Sequence, residues 1–287
     1  LPHRAQAGHK GTFGSVLIVA GSKGMTGAAA LSCMAAARSG AGLVFAVIPE
    51  DLNPILEVKL TEPITLPIPT KDNGIPDVAM LDPILTKAES CTAVAVGPGL
   101  GNHPSTGELV RELILHLNKP LVLDADGLNA ITQDPDILKK RPAPTIVTPH
   151  PGELERLTGI PAKEINRGRI TAARGFAERF GVTIILKGAG TVIADPGGEV
   201  HISALSNTAL SKGGSGDVLT GLVAGFLAQN PDPASAAVLG VFIHGEAARI
   251  IAARKTEWAA LPSDLIEAVP EAFNLLLNSF QIKRRTP

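Results

Sequence analysis

Short runs of consecutive apolar residues alternate along this chain with longer stretches in which apolar residues recur at helical spacing. The short runs are rich in Val and Ile and comprise Val16–Ala20, Leu43–Ile48, Ala93–Val96, Leu121–Leu123, Thr145–Val147 and Thr183–Leu186. Apolar runs of this length predict strands that are buried on both faces. The helical pattern covers Ala28–Arg38, Ser105–Leu117 and Ile165–Phe180. This alternation predicts an α/β fold with a mostly parallel central sheet and helices on both of its faces.

A different pattern follows the last of these runs. Val192–Ala194 and Glu199–Ile202 are separated by Asp195-Pro-Gly-Gly198, which is a hairpin signal. We therefore expect the sheet to end in an antiparallel pair. The Pro- and Thr-rich segment Leu60–Pro76 is the candidate linker, but it is short and no change of composition follows it. The sequence therefore predicts a single domain over residues 1–287.

Glycine-rich or polar loops follow strand after strand. They are Gly21–Gly27, Gly97-Pro-Gly-Leu-Gly101, Asp124-Ala-Asp-Gly127, Thr148-Pro-His-Pro-Gly-Glu153 and Lys187-Gly-Ala-Gly-Thr191. The carboxyl ends of parallel strands face one side of a sheet, and ligands bind there. We therefore expect these loops to form one continuous site.

The segment Asn207-Thr-Ala-Leu-Ser-Lys-Gly-Gly-Ser-Gly-Asp217 precedes the apolar run Val218–Ala228. Its glycines allow backbone N–H groups to approach an anion closely, and the start of the predicted helix adds the positive end of its dipole. A carboxylate beside a phosphate repels it, so the useful role for Asp217 is to accept a proton from the group that attacks the phosphate. The alternative is a structural helix with Asp217 as a simple first-turn acid.

Other polar residues in these loops have two interpretations each. Asp126 suits a helix N-cap, whereas Asp124, at a strand end, suits a polar role in the site. Lys187 ends a buried strand and needs an anionic partner, for which a nucleotide phosphate is the simplest candidate. The ring of His150 is free to hydrogen-bond a ligand, and Glu153 is either a first-turn acid or a residue that holds Mg²⁺ through water. His244, on a nearly all-apolar helix, is predicted to be a core or interface histidine.

Composition excludes several classes of partner. The 287 residues include 26 basic and 27 acidic ones, 45% hydrophobic residues, 3% aromatic residues and no Tyr. An even charge balance with few aromatic residues argues against nucleic acid as a partner. The apolar run Val238–Ala253 is interrupted by charged residues, and the first ten residues lack the apolar stretch of a signal peptide. We therefore expect no membrane span and a cytoplasmic location.

Taken together, these motifs resemble those of the ADP/ATP-dependent NAD(P)H-hydrate dehydratases of the ribokinase-like superfamily. The matching pieces occur in order over nearly the whole chain and are His9-Lys-Gly-Thr-Phe-Gly14, Gly27-Ala-Ala29, Arg38-Ser-Gly-Ala-Gly42, Gly97–Gly101, Asp124-Ala-Asp126, Thr148–Glu153, Lys187–Thr191 and Asn207–Asp217. It implies a ribokinase-like fold and a reaction in which the S-epimer of hydrated NADH or NADPH is dehydrated. The reaction would use ADP, giving AMP and phosphate, or ATP, with Mg²⁺.

The resemblance also implies roles for particular residues. Asp217 would be catalytic and would contact the hydrate. The other substrate-binding residues would be Ala29, Gly97, Gly99 and His150. The adenine nucleotide would be held by Lys187, Gly188, Ala189, Gly190, Thr191, Asn207, Gly213, Gly214, Ser215 and Gly216. Glu153 would order the metal ion.

Two further interpretations stay open on the sequence. One is an ATP-dependent kinase for a small metabolite of the thiazole or pyrimidine type, and the other is a non-catalytic adenine-nucleotide sensor. Related kinases have Asn-x-x-Glu where this chain has His150-Pro-Gly-Glu153, which argues for a substrate other than a sugar or a thiazole. Many relatives carry a fused epimerase domain; we expect none here, and expect any epimerase to be a separate protein. The resemblance also implies a homotetramer.

Overall fold

The computed structural model describes residues 1–283, apart from positions 3, 5 and 73. Within these residues nine strands form one sheet, in the spatial order β3-β2-β1-β4-β5-β6-β7-β8-β9. The strands are β1 (Ser15–Val19), β2 (Leu43–Pro49), β3 (Ile64–Ile68), β4 (Ala93–Val96), β5 (Leu121–Leu123), β6 (Thr145–Val147), β7 (Thr183–Leu186), β8 (Val192–Ala194) and β9 (Val200–Ile202). Strands β1 to β7 pair in parallel, whereas β7 with β8 and β8 with β9 are antiparallel. The predicted sheet and its antiparallel end are confirmed.

Helices cover both faces of the sheet. They are α1 (Thr26–Arg38), α2 (Asn53–Lys59), α3 (Leu81–Glu89), α4 (Pro104–His116), α5 (Asp126–Asn129), α6 (Pro151–Thr158), α7 (Ala162–Arg167), α8 (Arg169–Phe180), α9 (Ser215–Gln229), α10 (Pro233–Ala259) and α11 (Pro262–Lys283). Alternate residues of β1 join opposite layers of the core. Val16 and Ile18 pack with α1, α9, α10 and α11, and Leu17 and Val19 pack with the helices of the other face. Both faces are therefore buried, as the continuous apolar runs predict.

Two elements differ from the sequence prediction. The predicted linker Leu60–Pro76 contains β3, an edge strand, where Pro67 is tolerated because an edge position needs no second ladder of hydrogen bonds. The predicted helix Ile165–Phe180 is two helices that meet at Gly168, whose backbone is not helical. Asn73 of the linker and the last four residues of the predicted domain lie outside the described residues.

From the sequence, the charged residues in Val238–Ala253 are expected to exclude a helix that is apolar enough to span a membrane. Helix α10 shows that they do not. By length and mean hydropathy this one described helix would pass as a membrane span, but 61% of its most apolar window is buried inside the protein. Two of the interrupting residues, Glu246 and Arg249, pair with each other at 2.8 Å. Burial of this kind is typical of the core helix of a globular protein.

Helices α1 and α9 approach each other closely because α9 has glycine at the contact. A Cβ atom at Gly221 would lie 2.1 Å from the Ser32 carbonyl oxygen, and one at Gly225 would lie 1.8 Å from Ser39 Oγ. This contact fixes the position of the start of α9 at the edge of the sheet.

Gly221→Ala is expected to lower the free energy of unfolding by about 1–3 kcal/mol, since the added methyl group overpacks a core contact. The matched control is Gly175→Ala in α8, where nothing lies within 4 Å of the added atom. There alanine is expected to stabilise the protein by about 0.5–1 kcal/mol through helix propensity. Urea unfolding measures both changes, and equal effects of the two substitutions would contradict the packing argument.

Candidate active site

Side chains from three neighbouring strand ends meet at one edge of the sheet. Asp124 follows β5, Glu153 lies in the first turn of α6 after β6, and Lys187 follows β7. Lys187 Nζ lies 2.7 Å from Asp124 Oδ1 and 3.7 Å from Glu153 Oε2. Three of the five loops that the sequence predicts to converge thus do so around one lysine.

Asp124 and Lys187 form a buried ion pair. The Asp124 side chain is 2% exposed and that of Lys187 is 21% exposed. The Thr220 hydroxyl, on α9, donates to Asp124 Oδ2 at 2.7 Å. Burial alone would raise the pKa of Asp124, but Lys187 and the hydrogen bonds outweigh burial and hold it below its usual value. Burial likewise opposes the charged form of Lys187, yet the two carboxylates raise its pKa. Both groups are therefore charged at neutral pH, and the anionic partner of Lys187 in this structure is a carboxylate of the protein itself.

Asp217 lies in the first turn of α9, as predicted, and is partly buried. Burial, followed by the negative charge of Asp124, raises its pKa to about 6, while Lys187 acts in the opposite direction. A carboxylate with a pKa near the working pH is suited to accept a proton in a reaction, because it is both largely ionised and sufficiently basic.

The start of α9 is open to an anion. Gly214, the N-cap residue, has a φ of 98° and provides no side-chain cap for the free N–H groups of the first turn. A Cβ atom at Gly214 would lie 2.7 Å from Leu31 Cδ1, whereas one at Gly213 would meet nothing within 4 Å. Gly214 therefore packs against α1, and Gly213 borders open space. Uncapped N–H groups and the helix dipole together favour a bound anion.

A cleft of about 240 Å³ adjoins this helix start. Its walls come from the segments that the sequence assigns to the nucleotide. Of the ten predicted nucleotide-binding residues, seven line it, namely Lys187, Gly188, Ala189, Thr191, Asn207, Ser215 and Gly216. Gly190, Gly213 and Gly214 do not line it. Larger cavities of about 590 and 690 Å³ surround Phe226, near the other end of α9, and contain none of the predicted site residues.

The predicted substrate-binding residues have structural reasons for their identity. A Cβ atom at Gly97 would lie 1.8 Å from the Asp124 carbonyl oxygen, and one at Gly99 would lie 2.8 Å from Ala28 Cβ. Ala29 is 1% exposed and packs beneath Gly21. Close packing explains these small residues without a ligand, so their contact with the hydrate stays a prediction.

His150 and Glu153 cap each other at the start of α6. His150 Nδ1 accepts from the N–H groups of Gly152 and Glu153, and Glu153 Oε2 accepts from the His150 N–H at 2.7 Å. The expectation that the whole ring is free to bind a ligand is therefore wrong, because one ring nitrogen caps the helix. The His150 side chain is nevertheless 51% exposed, and its other ring nitrogen, Nε2, lies 3.6 Å from Glu153 Oε1.

Asp126 is the first residue of α5, not its N-cap, a position that Ala125 occupies with a φ of 48°. The Asp126 carboxylate instead accepts from the Gly101 N–H at 2.8 Å. It thereby ties the glycine-rich loop Gly97–Gly101 to the loop after β5. The prediction that Asp126 is structural holds, but through a different contact.

Two residues of the site were not identified as site residues from the sequence. Thr220 holds Asp124 from within the apolar run of α9, and His244 lines the nucleotide cleft from α10. His244 was expected to be a core or interface histidine; it is 7% exposed, and its ring faces Ser215 at the start of α9. Each is a polar residue within an apolar, buried stretch of a helix, and that is the signal that could have identified both.

The donor atoms at the site determine how a magnesium ion would fit. Among the described residues no group of three or more His, Cys, Asp or Glu side chains could enclose a metal ion. Glu153 Oε2 is occupied by the His150 N–H, which leaves Oε1. A single carboxylate oxygen fits an Mg²⁺ ion that is bound chiefly by nucleotide phosphates and water. The residues present therefore fit a nucleotide-bound ion and not a site formed by protein alone.

The sheet, its antiparallel end and the cleft at the start of α9 define an α/β protein with a ribokinase-like fold. A hydroxyethylthiazole kinase from Pyrococcus horikoshii shares this fold, with a TM-score of 0.60 at 14% identity. Residues 16–271 match the family model of the NAD(P)H-hydrate dehydratases, and the chain belongs to this family.

Individual relatives agree with this assignment. The chain is 42% identical over 94% of its length to a bifunctional NAD(P)H-hydrate repair enzyme of Moorella thermoacetica, of which it covers 51%. It is 35% identical to the ADP-dependent (S)-NAD(P)H-hydrate dehydratase of Bacillus subtilis, with 95% of this chain and 94% of that protein covered. The chain thus spans about half the length of the bifunctional relatives. A crystal structure of the Bacillus subtilis ADP/ATP-dependent dehydratase, co-crystallised with ATP/Mg²⁺, superposes with a TM-score of 0.81 at 33% identity, covering 96% and 94% of the two chains.

Proposed function

We propose that this chain catalyses the nucleotide-dependent dehydration of the S-epimer of hydrated NADH or NADPH. The observation that carries the proposal is the position of Asp217, whose pKa is raised to about 6, in the helix turn that borders the nucleotide cleft. A protein that only bound a nucleotide would gain nothing from a carboxylate beside the phosphates. The names of the relatives, as dehydratases of NAD(P)H hydrates, supply the substrate.

The proposed reaction begins with phosphoryl transfer to the hydrate. Asp217 accepts the proton of the C6 hydroxyl, whose oxygen forms a bond to the terminal phosphorus of ADP while the bond to the AMP oxygen breaks. The first-turn N–H groups of α9 and the ammonium of Lys187 stabilise charge on the transferring group. The C6–oxygen bond then breaks, phosphate leaves, and loss of a ring proton restores the double bond. The products are NADH or NADPH, AMP and phosphate.

ADP is the proposed nucleotide because two relatives are named ADP-dependent. Mg²⁺, bound to the nucleotide and ordered by Glu153 through water, would neutralise phosphate charge. The nucleotide would be held by the seven predicted residues that line the cleft, together with Gly190, Gly213 and Gly214.

The test is to incubate the protein with hydrated NADH, ADP and Mg²⁺ and to follow the return of the nicotinamide absorbance. Recovery of NADH with equimolar AMP supports the proposal. A stable phosphate ester would instead indicate a small-metabolite kinase, and nucleotide binding without turnover of any hydrate would indicate a sensor.

We also propose a homotetramer and a cytoplasmic location. Half-buried apolar residues of α10, namely Val238, Leu239 and Phe242, line an open groove of about 590 Å³ that a second copy would cover. Light scattering that gives a monomer at micromolar concentration would contradict the tetramer.

His150→Ala is expected to raise the KM for the hydrate while kcat stays within about tenfold, because the half-exposed ring provides binding and not proton transfer. The substitution also removes the cap of α6 and is expected to lower the free energy of unfolding by about 0.5–2 kcal/mol. Steady-state kinetics and urea unfolding measure the two effects. His150→Asn, which preserves a capping side chain, should recover stability but not KM. A collapse of kcat at constant KM would assign His150 a catalytic role instead.

A further inference from the structure

A buried histidine contacts the first residue of the helix that borders the nucleotide cleft. His244 lies in the middle of α10 and is 7% exposed, and its Nε2 lies 3.2 Å from Ser215 Oγ. Ser215, the N1 residue of α9, is itself 3% exposed. Both residues line the cleft. The contact therefore joins α10 to the turn that is open to an anion.

The ring of His244 is neutral at physiological pH. Burial, helped by the positive charge of Lys187 and opposed by a hydrogen bond at Ser215, lowers its pKa to about 4. With the ring proton on Nε2, the nitrogen that faces Ser215 Oγ, the ring donates to the hydroxyl; with the proton on Nδ1, Nε2 accepts from it. Only the first tautomer leaves the hydroxyl proton free for an anionic ligand in the cleft.

This tautomer determines where the proton of the Ser215 hydroxyl points. A hydroxyl has one proton and two lone pairs. When Nε2–H donates to Ser215 Oγ, one lone pair is used and the hydroxyl proton is left for another acceptor. Phosphate oxygens can only accept hydrogen bonds, so a serine that presented its lone pairs to the cleft would repel them. A serine that presents its proton would bind them.

We propose that His244 is a positioning residue for nucleotide binding, which directs the hydroxyl proton of Ser215 into the cleft as a donor to a phosphate oxygen. The inference rests on the proposed function only in taking an adenine nucleotide as the ligand of the cleft. It explains why a nearly all-apolar helix carries a neutral, buried histidine at this one place. It also adds a side-chain donor to the backbone N–H groups of the first turn.

The experiment measures affinity for ADP and for adenosine, which lacks phosphates, by calorimetry. His244→Leu removes the donor, and Ser215→Ala removes the hydroxyl. Each is expected to weaken ADP binding about tenfold, since a hydrogen bond to a charged group is lost, and to change adenosine binding less than twofold. The double variant should bind ADP no more weakly than either single variant, because the two residues act as one unit. His244→Gln, which retains a side-chain N–H donor, should stay within about threefold of the wild type.

The matched control is His116→Leu, an exposed histidine of α4 outside the cleft, which should not change either affinity. Equal losses for adenosine and ADP, independent effects of the two substitutions in the double variant, or a glutamine variant as weak as the leucine variant would overturn the inference. If His244→Leu does not fold, Ser215→Ala and His244→Gln decide the question alone. Tight ADP binding without hydrate turnover would refute the proposed function while leaving this inference intact.

Discussion

Asp217→Asn is expected to lower kcat for the hydrate by about 10²–10⁴-fold, the usual contribution of a general base. The amide keeps the shape of the side chain and the start of α9 but cannot accept the proton. Affinity for ADP should be unchanged or improved, because a negative charge beside the phosphates is removed. Steady-state kinetics and calorimetry measure the two effects. Asp136→Asn is the control, since Asp136 lies on the surface and pairs with Lys139 at 2.7 Å.

The pH dependence gives an independent readout of the same residue. Asp217 must be ionised to act as a base, and its pKa is raised to about 6. In the wild type kcat/KM should therefore rise as the pH increases through about 6 and level off above it. This acid limb should be absent from the residual activity of the asparagine variant. Near-normal turnover of that variant would remove the proposed base and return the glycine-rich segment to a structural interpretation.

Lys187→Met is expected to lower the free energy of unfolding at pH 7 by about 3–5 kcal/mol, the usual cost of removing one partner of a buried ion pair. Asp124 would be left ionised and almost fully buried, with only the Thr220 hydroxyl on Oδ2. Adding Asp124→Asn should recover most of the loss, because the unpaired charge is then gone. The exposed pair Asp136–Lys139 is the control, and Lys139→Met should cost at most about 1 kcal/mol.

Acid should reduce the difference in the free energy of unfolding between the Lys187→Met variant and the wild type. In the wild type the pKa of Asp124 is lowered, so its contribution to stability is present above the ordinary value of 3.8 and is lost as the pH falls below it. Without Lys187, burial is opposed only by hydrogen bonds from hydroxyl groups, so the pKa of Asp124 is expected to rise and protonation to relieve the variant as the pH falls. Urea unfolding between pH 7 and pH 4 measures this trend. A constant difference over that range, or no recovery in the double variant, would contradict the ion-pair argument.

Together, the Asp217→Asn and Lys187→Met variants separate effects on stability from effects on catalysis at one site. Lys187 and Asp217 both border the start of α9, and the charge of each affects the pKa of the other. Asp217→Asn is expected to lower turnover strongly and to leave folding intact, since Asp217 forms no ion pair with any of the described residues. Lys187→Met is expected to weaken both folding and nucleotide binding. Opposite outcomes for the two variants would exchange the proposed roles.

The sequence by itself determined the layered fold and the side of the sheet on which the site lies. Continuous short runs such as Ala93–Val96 predict strands buried on both faces, and parallel strands place the loops after them at one edge. The Gly-rich segment before Val218 identified the helix start and Asp217 as well. This was possible because local backbone geometry and charge depend on neighbouring residues in the chain. Edge strand β3 was missed because an edge needs neither a long apolar run nor a full set of N–H donors.

Only the tertiary structure decided which side chains contact each other within the site. The partner of Lys187 is Asp124, 63 positions away in the chain, and that of Ser215 is His244, 29 positions away. Such pairs depend on the order of the strands in the sheet and on how α9 packs against α10, and no local pattern records either. The raised pKa of Asp217 has the same origin, because burial and the charge of Asp124 exist only once the chain is folded.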